Sequence, residues 1–429
     1  MRYLPSFAVA CVCLVVDDAP VAAQPHTNCS TLSQNLAVRE VMTDHYFWYR
    51  SLPSLNPARF ESPEAYLEAL RYLPIDRTFS YITSRAANEA YYGSSQFVGL
   101  GLSVRAEGDQ LRVQAVFDGS PAADAGLTRG ARLVEINGRR VQDLVAENAL
   151  GGAWGPAEIG VEVTAVFDTR AGERRDARMT KRLVTIPTVP ASRVIEVEGR
   201  KVGYFELRNF VEPSYDAIAG VTQSFLDAGV SELVLDLRYN GGGLVDVAVD
   251  LASRIGGAAT RGRVFSEVLH NDRHSQDNEV LRFRSDGAAL SLSRVIVITT
   301  RASASASELV INSLRPYLPV VVVGDATYGK PVGQYGFDFC DKTLAPVAFS
   351  IVNANGEGDY FDGIRADCLA GDDLAVDLGE VQEASLAEAL HVVRTGECSG
   401  ASASASLRQR ATGDRGPRAV GWQALLNAF

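Results

Sequence analysis

Apolar residues change their spacing twice along the chain, and the changes divide it into three parts. Over residues 37–49 and 63–72 they recur at three- and four-residue steps, the period that buries one face of a helix, and Ser62-Pro63 supplies a helix start. The aromatic run Tyr46-Phe47-Trp48-Tyr49 falls in this stretch and reads as core rather than as a binding surface. From Phe97 the period drops to two, and short alternating strands separated by glycine turns continue to about residue 185. From about residue 200, near-continuous Val/Leu/Ile runs alternate with amphipathic stretches over 215–228 and 244–255. That is the pattern of buried strands joined by helical crossovers in an α/β core. Beyond residue 398 the chain turns to Ala, Ser and Arg with no apolar period before Trp422, so 399–429 is expected to be a flexible tail.

A chain of 429 residues is longer than one hydrophobic core usually serves, which agrees with this division. The fold class expected is α/β in a multidomain α+β arrangement: a helical N-terminal segment over 24–94, a β-module over 95–185 and an α/β core over 186–398. The first 23 residues read as an export signal. Arg2 gives a minimal positive start, residues 7–16 (FAVACVCLVV) form a short apolar stretch, and Val21-Ala22-Ala23 offers a cleavage site. The mature product is therefore expected outside the cytoplasm, in the periplasm. Lipid anchoring at Cys11 is disfavoured because the apolar stretch before it is too short.

No later segment reaches the ~20 apolar residues of a membrane span, and a net charge of −11 argues against nucleic acid as a partner. Cys29, Cys340, Cys368 and Cys398 remain after the signal, enough for two disulfides with three connectivities. Proximity along the chain favours Cys340–Cys368, leaving Cys29 for Cys398. A metal site is the weaker reading of these cysteines, since there is no CxxC pair and the five histidines are scattered. No metal or cofactor is expected.

Candidate chemistry is concentrated in TTRASASASELVINSL and the turn GDATYGK that follows it. Ser305 stands between a buried strand and an amphipathic helix with Leu309, Val310 and Leu314 inward, where a hydroxyl projects from the sheet edge beside a helix N-terminus. The same letters, Ser305-Ala306-Ser307-Glu308, also spell a helix capping box, and the Ala-Ser alternation recurs at 401–406 in the tail. Ser305 alone is thus ambiguous. Lys330, on a glycine turn at a strand end, resolves the ambiguity, because burial against apolar strands would lower its pKa and make it a base for a serine hydroxyl. Gln334 can hold that amine without favouring its charged form. In residues 234–243 (VLDLRYNGGG) the glycines allow backbone to approach a reacting carbonyl. One oxyanion donor is assigned to the Gly242 N–H, with Gly243 an almost equal choice, and the other to the Ala306 N–H. Asp236 and Arg238 are expected to organise that loop.

Taken together, the Ser-Ala-Ser-Ala-Ser-Glu segment, the Thr-Tyr-Gly-Lys turn ending in Gln334 and the Asp-Leu-Arg-x-Asn-x-Gly-Gly loop resemble the C-terminal processing (tail-specific) protease family. The resemblance implies Ser305 as nucleophile, Lys330 as general base, Gln334 as its orienting residue and a crotonase-like α/β protease core. Residues 95–185 resemble a PDZ domain through the loop Gly99-Leu100-Gly101-Leu102, the Ser-Pro-Ala turn and the Leu-Val-Glu-Ile-Asn-Gly strand and turn. The loop glycines would let N–H groups converge on a peptide carboxylate, and the neighbouring strand edge would accept an extended peptide.

The expectation is an exported serine endopeptidase that cleaves unfolded or tagged proteins near free C-termini. Departures from the family pattern are Pro331 after the lysine, Arg301-Ala302 before the serines and Ala131-Arg132 after Gly130. The rival from another class is a non-catalytic PDZ-type scaffold on a protease fold. An acyl-CoA enzyme on the same core is disfavoured by the export signal. A histidine triad using His270, His274 or His391 and an acid pair at Asp372-Asp373 are disfavoured for want of a motif. Oligomeric state is not legible.

Overall fold

A computed structural model of the chain describes residues 28–285 and 287–400; the expected signal and almost all of the expected tail lie outside them. At the centre is a six-stranded sheet in the order Ser192–Val197, Arg200–Glu206, Glu232–Asp236, Val295–Thr299, Val320–Gly324, Cys368–Leu369. The first pair is antiparallel and the rest parallel. The apolar runs are explained by what lies on each face. Leu233, Leu235, Val295, Val297 and Val322 pack into a cluster with the helices Ser214–Ala228, Val245–Gly256 and Ala306–Leu314. Their alternates Val234, Ile296, Ile298 and Val323 pack against the helix Ala384–Thr395 on the other side. With both faces covered, period two disappears from the hydropathy. The helix Ala306–Leu314 is itself buried on every side, rather than along the one face its sequence suggests. A four-stranded antiparallel sheet, Glu279–Arg282, Val264–His270, Val347–Val352, Val332–Gln334, lies on that side of the core.

The PDZ-like module is an antiparallel sheet from Leu102–Glu107 to Arg174–Thr180 around its own core, which includes Leu100, Leu111, Trp154 and Phe167. Its Asn137-Gly138 turn has φ of 49° and 74°, the paired positive values of a type I′ hairpin. The unusual Ala131 is buried in the module, and Arg132 pairs with Asp168. Gly130 is fixed by docking: a Cβ there would stand 2.3 Å from Leu374 O of the core.

Beside Gly130, Arg129 of the module donates to Asp372 Oδ1 at 2.8 Å and to Tyr239 Oη at 2.9 Å. Arg105 also pairs with Asp372. Burial pushes the Asp372 carboxyl up, but the Arg129, Arg105 and Arg238 guanidiniums outweigh it and hold the group at about 2.

The N-terminal segment is helical over Thr31–Asp44 and Pro63–Leu70, the second capped by Ser62 Oγ accepting from Ala65 N–H at 3.1 Å. It is woven into the core: its strand Tyr81–Ser84 pairs with Lys342–Ala345, which pairs in turn with Phe337–Phe339. Tyr46 is fully buried, and Phe47, Trp48 and Tyr49 pack around the same cluster with Val332, Phe337 and Leu344. This weave overturns the expected disulfides. The bonds are Cys29–Cys340 and Cys368–Cys398. Strand pairing carries the hairpin tip at Cys340 to the N-terminal helix, and the helix Ala384–Thr395 returns Cys398 over the strand that holds Cys368. Distance along the chain was the wrong guide.

Two outcomes test this account. Peptide mapping without reduction should link Cys29 to Cys340 and Cys368 to Cys398; a Cys340–Cys368 peptide would refute the strand arrangement. Asp372→Asn should cost about 3–5 kcal/mol, read as a lowered melting midpoint, because Arg129 loses its carboxylate and Arg105 and Arg238 each lose one of theirs. The folded carboxyl titrates at about 2 and the unfolded one at about 3.9. Its contribution is therefore present above about pH 5 and lost as pH falls toward 2. Wild type should lose more stability than Asp372→Asn across that interval, and equal losses would argue against the clamp.

Candidate active site

The strand Val295–Thr299 ends at the carboxyl edge of the core sheet, and the chain turns before the helix Ala306–Leu314. The three serines of this turn differ. Ser303 Oγ donates to Leu237 O at 2.8 Å and Ser307 Oγ to Asn240 O at 2.9 Å, and both residues are fully buried. Ser305 is partly exposed, with φ 54° and ψ −115°. Serines that cap other helices here, Ser30, Ser62, Ser84 and Ser120, are extended and accept hydrogen bonds from helix N–H groups. Ser305 keeps the reciprocal capping contact, its N–H donating to Glu308 Oε2 at 2.8 Å. Its left-handed backbone nevertheless costs roughly 1–3 kcal/mol, which capping does not require. A strained serine at a strand-to-helix turn is the arrangement that holds a hydroxyl clear of a sheet.

Glu308 joins this turn to the lysine turn. Its fully buried carboxylate accepts from Thr327 Oγ1 at 2.5 Å, Gly329 N–H at 2.7 Å and Lys330 N–H at 2.9 Å, as well as from Ser305. One oxygen, Oε2, thus receives the amides of both Ser305 and Lys330. Burial pushes the Lys330 amine down to about 8, against the carboxylates of Asp76 and Glu308, which pull the other way.

The amine donates to Gln334 Oε1 at 2.8 Å, while Gln334 Nε2 donates to Phe79 O at 2.6 Å, which fixes the orientation of the amide. Phe79 belongs to the N-terminal segment. Its turn is held by buried Asp76, which accepts from the Phe79 and Ser80 N–H groups, from Ser80 Oγ and from Tyr46 Oη. Among the described residues no hydrogen bond joins Ser305 Oγ to Lys330 Nζ, so the turns are brought together while the amine rests on Gln334.

The glycine loop packs directly on the serine turn. A Cβ on Gly242 would stand 2.8 Å from Ser305 Cβ and from Ala306 N, so this position demands glycine. Fully buried Asn240 sets the spacing: its carbonyl accepts from Ala304 N–H and Ser307 Oγ, and its side chain accepts from Gly242 N–H at 2.9 Å. The Gly242 N–H, expected as an oxyanion donor, is thereby engaged. The amides of Gly243 and Ala306 make no hydrogen bond among the described residues. Asp236 and Arg238 form a fully buried ion pair beneath the loop. Arg301 donates to Thr327 O and Asp362 O, both at 2.9 Å, bracing the lysine turn from outside.

The other predicted residues lie elsewhere. Gly99, Leu100, Gly101 and Leu102 lead into Leu102–Glu107, an edge strand of the PDZ-like sheet, with Leu100 and Leu102 fully buried. His270 contacts Tyr335 Oη and His391 contacts Arg394; no histidine bonds to Ser305 among the described residues. Asp372 serves the module clamp, and Asp373 Oδ1 accepts from Ala375 N–H in a turn. Sequence reading missed Asn240 and the wider role of Glu308, although both stand inside motifs. The Phe79 carbonyl carries no sequence signal.

Comparisons with known proteins agree with this fold. Residues 201–369 match the model of peptidase family S41, residues 33–81 that of the peptidase S41 N-terminal domain and residues 112–146 that of a PDZ domain. A carboxyl-terminal-processing protease of Synechocystis sp. is 27% identical over 252 residues, 58% of this chain and 56% of that protein. A carboxy-terminal-processing protease of Bartonella bacilliformis is 27% identical over 278 residues, 62% and 61% of the two chains. The match thus spans less than two thirds of these relatives. The crystal structure of a Bacteroides fragilis protein assigned to the S41 proteases superposes with a TM-score of 0.68 at 27% identity, covering 83% of this chain and 96% of that one. The photosystem II D1 C-terminal processing protease shares the fold at a TM-score of 0.51 and 20% identity, over 81% of this chain and 94% of that one. By these matches and by the site built on its glycine, serine and lysine turns, residues 201–369 form a peptidase family S41 domain, with an S41 N-terminal domain match before it and a PDZ match between them.

Proposed function

We propose that the protein is an exported serine endopeptidase in which Ser305 is the nucleophile and Lys330 the general base. The observation that carries this reading is the shared carboxylate oxygen of Glu308, which accepts from the backbones of both a strained serine and a buried lysine. Capping accounts for the Ser305 contact but requires neither a strained serine backbone nor the same oxygen holding the lysine turn. In the reaction Lys330 Nζ, as the neutral amine, takes the proton of Ser305 Oγ while the oxygen attacks the scissile carbonyl. The oxyanion is received by the N–H groups of Ala306 and Gly243, with Gly242 supplying the close approach. The ammonium then returns its proton to the leaving amine, and a water activated by the same lysine frees the acyl group. Gln334, a neutral acceptor, holds the amine between steps, and substrate binding moves Nζ from Gln334 to Ser305.

Substrates are proteins with free C-termini, unfolded or tagged. The carboxylate would be taken at Gly99, Leu100, Gly101 and Leu102, with the peptide added to the edge strand Leu102–Glu107. Arg105 on that strand reaches the core at Asp372, so a bound peptide would lie against the clamp between module and core. Relatives named for carboxyl-terminal processing support this substrate class. Residues 1–23 would direct export to the periplasm.

Purified protein should cleave an unfolded substrate bearing a free C-terminus, with cleavage falling at least ~10³-fold in Ser305→Ala and Lys330→Ala. Equal cleavage by all three would sink the dyad. Binding of C-terminal peptides with no cleavage by any form would identify a scaffold instead. Because the base must be neutral, kcat/KM should rise with pH through a limb near about 8. Gln334→Glu places a negative charge beside the amine and favours its protonated form, so the limb should move to higher pH. A limb unmoved by this change would place the titrating base elsewhere.

A further inference from the structure

We infer a divalent metal site of the zinc class where the N-terminal helix meets the core, ligated by His45, His274 and Asp44. Residues 229 positions apart in sequence converge here. Asp44 ends the helix Thr31–Asp44 and His45 is its C-cap, while His274 lies in the loop after the strand Val264–His270. Asp44 Oδ2 stands 3.4 Å from His45 Nε2 and 3.4 Å from His274 Nε2, and all three donors lie within 4.8 Å of one another. Ligands on a tetrahedral zinc ion, at about 2.0–2.1 Å each, lie about 3.3 Å apart.

The second observation is the state of His274. Its Nδ1 hydrogen-bonds to Asp277 Oδ2 at 3.0 Å, and since a carboxylate can only accept, Nδ1 carries the proton. Its Nε2 is buried without a hydrogen-bond partner and faces Asp44 and His45. A carboxylate behind a histidine that presents its other nitrogen is the outer shell that metal-binding histidines use.

The two halves are held in place by contacts that owe nothing to a metal. Asn271 Nδ2 donates to Asp44 O at 2.9 Å and to Tyr46 O at 3.2 Å, pinning the loop to the helix end, and Phe337 packs on the His45 ring. The helix C-terminus adds its negative end. The imidazoles stack with centroids 4.4 Å apart, so binding would tip them toward a common ion, with water as the fourth ligand. Two imidazoles and one carboxylate select a borderline transition ion over calcium or magnesium. Such an ion would tie the N-terminal segment to the core independently of the disulfide Cys29–Cys340.

The test is titration of tag-free, chelator-stripped full-length protein with Zn²⁺ by calorimetry, and with Co²⁺ by visible absorption. One equivalent should bind, Co²⁺ should give tetrahedral bands, and Zn²⁺ should raise the melting midpoint. His45→Gln combined with His274→Gln should abolish all three effects, and His391→Ala should leave them intact. Asp277→Asn keeps every ligand and the local packing, and should weaken binding about 10–100-fold. Absence of stoichiometric binding to wild type, or undiminished binding by the double variant, would overturn the site.

Discussion

The buried carboxylate of Glu308 is the constraint on which the rest of the site depends. Taking a carboxylate out of water is costly, and burial does push its pKa up. Hydrogen bonds from Thr327, Gly329, Lys330 and Ser305 offset that cost. A carboxylate with this many donors cannot shift without leaving one of them unsatisfied. It therefore fixes the serine turn and the lysine turn relative to each other, although they belong to different strand ends of the sheet.

Around that anchor the three parts of the chain each contribute one element of the site. The core supplies the strained serine and the glycine loop, locked together by Asn240. The N-terminal segment supplies the Phe79 carbonyl that orients Gln334, through a turn fixed by Asp76. The PDZ-like module reaches the glycine loop from outside, where Arg129 bonds to Tyr239, the residue before Asn240. A disturbance in either flanking part thus has a short physical route to the lysine turn or to the glycine loop.

The serine string shows how context separates identical letters. Ser303 and Ser307 are buried and bonded to carbonyls, while Ser305 between them is partly exposed and held at a positive φ that capping does not require. Local sequence could place all three on one turn but could not rank them. The lysine turn and glycine loop both pack against the Ser305 position, Gly242 by close approach and Lys330 through the shared Glu308 oxygen.

By itself the sequence determined what is local: helix starts such as Ser62-Pro63, the turn at Asn137-Gly138, the buried strands, and the motifs that hold Ser305, Lys330, Gln334 and Gly242. These follow from backbone preference and hydrophobic period, which act over a few residues. Only the tertiary structure decided which distant groups meet. It paired Cys29 with Cys340, set the Phe79 carbonyl behind Gln334, engaged the Gly242 amide with Asn240, and gathered His45 and His274, which the sequence leaves scattered. Those meetings depend on which strands lie side by side, and strand order is a property of the whole packed chain.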